Sequence, residues 1–369
     1  MSLAAWLALG LVRGAFWRTL GGILPPFSVK NVPKNTSITA VIPARNEAAV
    51  IGRAVNSLLS QDFPGILRVV VVDDHSSDGT AAAANAAGLS ERLRVVAAGP
   101  LPRGWTGKLW ALSEGLREAA ADSPDFFLLT DADIVHSPNN VRKIAGEALS
   151  ADLDLVSLMA RLRCESLAER ALIPAFVFFF FLLYPPSWTA NPKKKTAGAA
   201  GGCILIRPAA LERIGGLQSI CGELIDDCSL ARAVKRTGGR IRLGVTADTQ
   251  SIREYGGFAD IERMIRRTAF TQLGYSPWLL AGTLLGMVLV YLAPPVLVFI
   301  GSPMARVLAA LAWLLMALIF LPTLRFYRRS ILWAPLLPLI AAFYTWATLD
   351  SAFRYWTGRG GEWKGRVLD

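Results

Sequence analysis

Histidine and cysteine are scarce in this chain: two of the first and four of the second among 369 residues. Cys164, Cys203, Cys221 and Cys228 form no close C-x-x-C pair, which argues against a Cys/His zinc site and reads as free cytosolic thiols. Acidic residues are missing altogether between Arg263 and Leu349. Three apolar runs fill that gap, roughly 278–300, 304–324 and 331–349, each near the ~20 residues a bilayer-spanning helix needs. A nucleic-acid-binding signature is lacking too, although the net charge is +11. The cations sit beside the apolar runs, at Arg325, Arg328, Arg329, Arg354, Arg359, Lys364 and Arg366, and in Lys193-Lys194-Lys195. Juxtamembrane cations set orientation and meet anionic headgroups, so the charge reads as membrane topology; Lys193–Lys195 fits a headgroup contact or a solvated loop.

The 53% apolar content predicts membrane segments beside a soluble domain. Residues 1–30 hold a short run from Leu3 to Val12, broken by Arg13 and continuing through Phe16, Trp17 and Leu24. No small-residue cleavage site follows, so a retained membrane anchor or interfacial segment is expected. Residues 36–250 form the soluble domain, 251–276 a basic interfacial helix, 277–349 transmembrane helices and 350–369 a basic tail. Two spans keep the domain and the Arg325–Arg329 loop on one side. A third full span would export the basic tail against the positive-inside rule, so Pro335 and Pro338 admit a re-entrant or interfacial segment instead. The run 171–184 admits two readings, an interfacial dip that receives a lipid or a buried core helix.

Within 36–250, apolar runs alternate with helical patterns. SITAVIP (37–43), LRVVVVDD (67–74), a run near 92–97 and DFFLLTD (125–131) read as strands. Helices are expected after Glu47, over 79–88, over about 107–120 and over 138–149. This alternation predicts right-handed βαβ units and a parallel sheet covered on both faces. Ligands bind such sheets beyond the carboxyl ends of the strands, where PARNE, DDHSSDGT and DAD fall. On an extended strand end Asp131 and Asp133 share a side and can converge on one cation. Oxygen-only ligands suit magnesium or manganese, which then bridges to phosphate. His136 fits a third metal ligand or a solvated turn residue. Gly198, Gly201 and Gly202 permit close backbone approach to a ligand, or form a plain turn.

The ordered string PARNE, VVVDDHSSDGT, GKLWAL and DAD, continued by GGCILIRPAAL, IDDCSLARAVKRTGG and RMIRR, resembles glycosyltransferase family 2 over about 38–270. With the apolar runs and the terminal WKGR it looks most like the bacterial hopene-associated glycosyltransferases, relatives of the ceramide glucosyltransferases. The resemblance implies a GT-A fold, Rossmann-like with a mostly parallel sheet, and C-terminal transmembrane helices. It implies that Pro43, Arg45 and Glu47 border the nucleotide, and that Asp74 accepts from the base imide. Lys108 touches base or diphosphate, Asp131 lies near ribose and metal, Asp133 is the principal metal ligand, and Gly202 lines the donor-sugar loop. Asp226-Asp227 stands where the family usually has Glu-Asp, which makes Asp227 the general base of an inverting transfer. Arg263 and Arg266 clamp the diphosphate, but Arg267 follows them where processive members carry tryptophan.

That departure, and few spans, point to a single transfer from a nucleoside-diphosphate sugar, UDP-hexose by resemblance, to a lipid hydroxyl such as a hopanoid. The implied location is the bacterial inner membrane, with the domain facing the cytoplasm and no nucleic-acid partner. The alternatives are a polyprenyl-phosphate acceptor and a non-catalytic protein that binds nucleotide sugar.

Overall fold

Ile38 through Ala44 are buried without a break, the signature of a strand covered on both faces. A computed structural model describes residues 1–21, 32–88 and 90–359. The chain divides into two compact units: one built from residues 32–163 and 188–253, the other from 1–21, 164–187 and 254–359 of the described residues.

The first unit is a mixed α/β sheet of eight strands: β1 (Ser37–Ala44), β2 (Ile66–Asp73), β3 (Leu93–Ala97), β4 (Phe126–Leu129), β5 (Ile134–His136), β6 (Leu155–Arg161), β7 (Ile204–Ile206) and β8 (Ile241–Ser251). Their order is β3-β2-β1-β4-β7-β6-β8-β5. The expected parallel sheet holds from β3 to β4, with Val41 opposite Val70 and Leu129. Beyond β4 the sheet turns mixed: β7 runs antiparallel to both β4 and β6, and β5 to β8.

Helices cover both faces. Ala48–Leu59 and Asn140–Ser150 pack on the face holding Ile38, Ala40 and Ile42, and Gly107–Ala120 covers Val41, Val70 and Val72. The last helix lies close because Gly115 faces Val41 and Val72, and a Cβ there would overlap both side chains.

The second unit is helical. Among the described residues, four helices are long and apolar enough to cross a membrane: Leu167–Ala190, Pro277–Ile300, Pro303–Phe326 and Ile331–Trp356. The run expected at 171–184 belongs to Leu167–Leu183, capped by a reciprocal Ser166–Glu169 box, with Phe178 and Phe181 fully buried. It belongs to the helical unit and not to the core of the α/β unit.

The N-terminal segment is not one continuous helix. Ser2–Leu11 ends before Gly14 and Ala15, both at positive φ, and ten residues span only about 15 Å. Its partner is a break in Pro277–Ile300. There Val288–Leu292 winds as a π-turn and Pro294 and Pro295 lack N–H groups. Ser2 Oγ donates to the Leu289 carbonyl (2.6 Å) and Trp6 Nε1 to that of Val290 (2.9 Å), satisfying carbonyls the break leaves over. Residues 22–30 and the tail beyond 359, with Lys364 and Arg366, lie outside the described residues.

The last run turns back on the helix before it. Trp313 Nε1 donates to the Pro335 carbonyl (2.9 Å), so the turn at 331–336 folds back along the preceding helix. Leu337–Trp356 then ends beside the start of Pro277–Met287. Tyr355 stacks on Tyr275 (4.3 Å), and Ala352 packs with Phe270 and Leu280.

Candidate functional site

The carboxyl ends of β1, β2 and β4 lie on one edge of the sheet, and three groups of polar side chains gather there.

The first group centres on Gly201. Lys108 sits in the first turn of its helix, whose N-cap Thr106 Oγ1 accepts from Leu109 N (3.3 Å). Its Nζ lies 2.9 Å from Asp131 Oδ1 and 3.1 Å from Asp226 Oδ2. Asp226 and Asp227 open the helix Asp226–Arg236, where the dipole favours carboxylates. Asp227 accepts from Gly201 N (2.8 Å) through Oδ2 and from its neighbour Cys228 N (2.7 Å) through Oδ1. A Cβ on Gly201 would stand 3.2 Å from Lys108 Nζ, 3.5 Å from Asp227 Oδ2 and 3.7 Å from Asp131 Oδ2, so a side chain there would press on the lysine. Leu129, Leu217, Ile220 and Leu230 wall the pocket.

Burial pushes the Asp227 carboxyl up to about 6, and neighbouring Asp226 adds to this against Lys108 and the two amides. For Lys108, burial alone would lower the pKa, but Asp131, Asp226 and Asp227 outweigh it and hold the ammonium firmly charged.

The second group centres on Asp133. Ser251 Oγ (2.6 Å) and Arg253 Nε (3.2 Å) both donate to its Oδ2, and Arg253 Nη2 donates to Glu47 Oε1 (2.6 Å). Asp133 is buried, which raises its pKa, while Arg253 pulls it back. Asp131 and Asp133 do not share one side of an extended strand. β4 stops at Leu129, Ile134 N donates to the Asp131 carbonyl (3.2 Å), and the turn sends the two carboxylates to different partners.

The third group is Asp74, fully buried, with Arg45 Nη1 donating to its carbonyl (2.6 Å) and 3.7 Å from Oδ2, and His75 Nδ1 at 3.3 Å.

Other expected residues fall elsewhere. Pro43 is buried inside β1 opposite Val72, short of the polar edge. Gly202 faces Ile134, and its carbonyl accepts from Thr130 Oγ1 (2.8 Å); Gly201 is the glycine at the pocket. His136 is neither ligand nor solvated turn residue. It is buried between Thr130 Oγ1 and Asn140 Nδ2, both 3.0 Å away, and desolvation lowers its pKa to about 4. Arg263 and Arg266 ride on Phe258–Gln272 of the helical unit. Arg266 Nη1 bonds Glu262 and Asp350, both at 3.1 Å, and Arg263 is exposed beside Asp260.

Sequence reasoning missed Arg253 and Ser251. Their signal was weak: a polar pair closing the long run of β8, which pairing with β5 brings beside Asp133.

Among the described residues, no three Asp, Glu, His or Cys side chains could enclose a metal ion by themselves. The available donors are the oxygens of Asp131 and Asp133, a set that fits magnesium or manganese only with phosphate oxygens completing the shell.

The parallel half-sheet, the acidic turn after β4 and the antiparallel strands beyond it define a Rossmann-like domain of the GT-A type. Residues 39–215 match the family model "Glycosyl transferase family 2". Asp226 and Asp227 lie beyond the matched stretch. The chain is 27% identical over 255 residues to "Probable glycosyltransferase YdaM" of Bacillus subtilis, covering 65% of this chain and 56% of that protein. It is 34% identical over 113 residues to the 4,4'-diaponeurosporenoate glycosyltransferase of Staphylococcus aureus, covering 31% and 27%. The chain thus spans about half or less of the length of these curated relatives. Among solved structures, the mannosyltransferase PcManGT from Pyrobaculum calidifontis, in complex with GDP-Man and Mn2+, shares the fold. Its TM-score is 0.51 at 19% identity, covering 97% of this chain and 99% of that one.

Proposed function

We propose that this protein is a membrane-bound, inverting glycosyltransferase that moves a hexose from a nucleoside diphosphate, UDP by resemblance, to a lipid hydroxyl, with a hopanoid as the implied acceptor. One observation carries the reading: Asp227 is fixed by two amides at an open pocket with its carboxyl raised to about 6, the poise of a general base near neutral pH. Supporting it are the family 2 match, the four long apolar helices, and a relative named for glycosylating 4,4'-diaponeurosporenoate. The nucleotide-sugar and Mn2+ complex of the mannosyltransferase supports the donor class.

In this mechanism Asp74, with Arg45, receives the base. Asp131 and Asp133 would hold magnesium or manganese, which supplies positive charge to the leaving diphosphate. Lys108 adds a fixed cation to the same pocket. Asp227 takes the acceptor hydroxyl's proton as that oxygen attacks the anomeric carbon and the bond to the diphosphate breaks. The domain would face the cytoplasm at the bacterial inner membrane.

The test is transfer of labelled hexose from UDP-hexose to lipid extracts by the purified chain and its Asp227→Asn variant. The rate should fall by about 10²–10⁴-fold in the variant. Since the carboxylate is the active form, wild-type kcat/KM should climb as pH rises through about 6 and then level off. Substantial residual turnover in the variant would favour an acceptor that is already anionic, a polyprenyl phosphate. Binding of UDP-hexose without any transfer would overturn catalysis.

A further inference from the structure

Arg253 has no part in the proposed transfer, yet it holds the carboxylate on which metal binding depends. Both partners of Asp133, Ser251 and Arg253, bond to Oδ2, and the same guanidinium reaches Glu47. A buried carboxylate without a countercharge is costly, so Asp133 needs a cation at every stage. Arg253 is the cation it has here. Its side chain is 36% exposed, so it can swing outward while Ser251 keeps Asp133 oriented.

The charge balance then couples two ligands. Arg253 bridges the carboxylates of Asp133 and Glu47. A divalent ion at Asp133 would stand beside Arg253 on the same carboxylate and set two cations against one another. A pyrophosphoryl group, with at least two negative charges, removes that repulsion and offers the guanidinium a bidentate partner.

We propose that Arg253 is a positioning residue that stands in for the divalent ion at Asp133 in the donor-free protein and releases Asp133 when a nucleoside diphosphate enters, so that metal and donor load together. This rests on the donor site proposed above. Removing the guanidinium lifts the competition and tightens nucleotide-free metal binding.

The experiment measures Mn2+ binding to the purified full chain by electron paramagnetic resonance, with and without UDP. Wild type should bind Mn2+ weakly alone and strongly with UDP. Arg253→Gln should tighten binding without UDP by about tenfold, within the usual range of coupling between sites, and Arg253→Lys should stay weak. Independently of folding in any variant, phenylglyoxal labelling of wild-type Arg253, read by peptide mass, should rise with saturating Mn2+ alone and fall when UDP is added. Unchanged Mn2+ affinity in Arg253→Gln, or labelling indifferent to Mn2+, overturns the proposal. Absence of Mn2+ binding by wild type even with UDP overturns the donor-site reading itself, and this proposal with it.

Discussion

His136 illustrates how a residue can look functional and be structural. Its Nδ1 faces the Asn140 amide and its Nε2 faces Thr130, whose hydroxyl in turn donates to Gly202. With the Thr130 proton committed to that carbonyl, Nε2 carries the hydrogen, Nδ1 accepts, and the ring is neutral. The bonds stitch the acidic turn to the glycine turn that carries Gly201. The folded pKa is lowered to about 4 from an ordinary 6.5, so the unfolded chain binds a proton that the folded one refuses between those values. Stability therefore falls as pH drops through 6.5 and the loss levels off below 4. Between pH 7 and pH 5 this one ring should account for about 2 kcal/mol. Urea unfolding of the full chain in detergent, followed by tryptophan fluorescence, should show a smaller acid-induced loss in His136→Gln than in wild type. An equal loss in both would assign the acid sensitivity elsewhere.

At the scale of elements, the tight seat of Gly107–Ala120 depends on one missing side chain. Placing valine at Gly115 forces the helix off Val41 and Val72, and overpacking of this kind costs about 1–3 kcal/mol. Gly115→Val should lower the urea midpoint. Because Lys108 opens the same helix, it should also weaken UDP binding by calorimetry; an unchanged midpoint would mean that the sheet yields without strain.

The first four strands were legible because a strand buried on both faces writes a continuous Val/Ile/Leu run, as in β1 and β2. The short run ILI of β7 could be read as a strand, but its antiparallel pairing is set at long range and β5, three residues long, shows no period, so the mixed half of the sheet was not legible. The acidic pair was found by composition but misjudged in direction, since a turn after Leu129 leaves the same string as a strand end. Arg253 is brought to Asp133 by long-range pairing of β8 with β5, which no local pattern encodes.

For the whole molecule, the ends of the helical unit carry a prediction of sidedness in a bilayer. Tyr355 on Tyr275, and Arg266 bonded to Asp350, put the finish of the last helix beside the start of the first span after Pro277. Met304, 70% exposed, opens the next helix after the far end of that span. With the native cysteines replaced, single cysteines at Arg267 and Thr357 should react with a membrane-impermeant maleimide from the same side, and one at Met304 from the other. Labelling of Thr357 together with Met304 would contradict the packing.

The Trp6 bond to Val290 joins positions 284 residues apart in the chain. A ribosome makes the opening helix long before the proline break whose carbonyls it covers, so that helix must wait through synthesis of the entire α/β unit. Closure of the helical unit is therefore a late, long-loop event, and its speed is set by topology more than by local propensity.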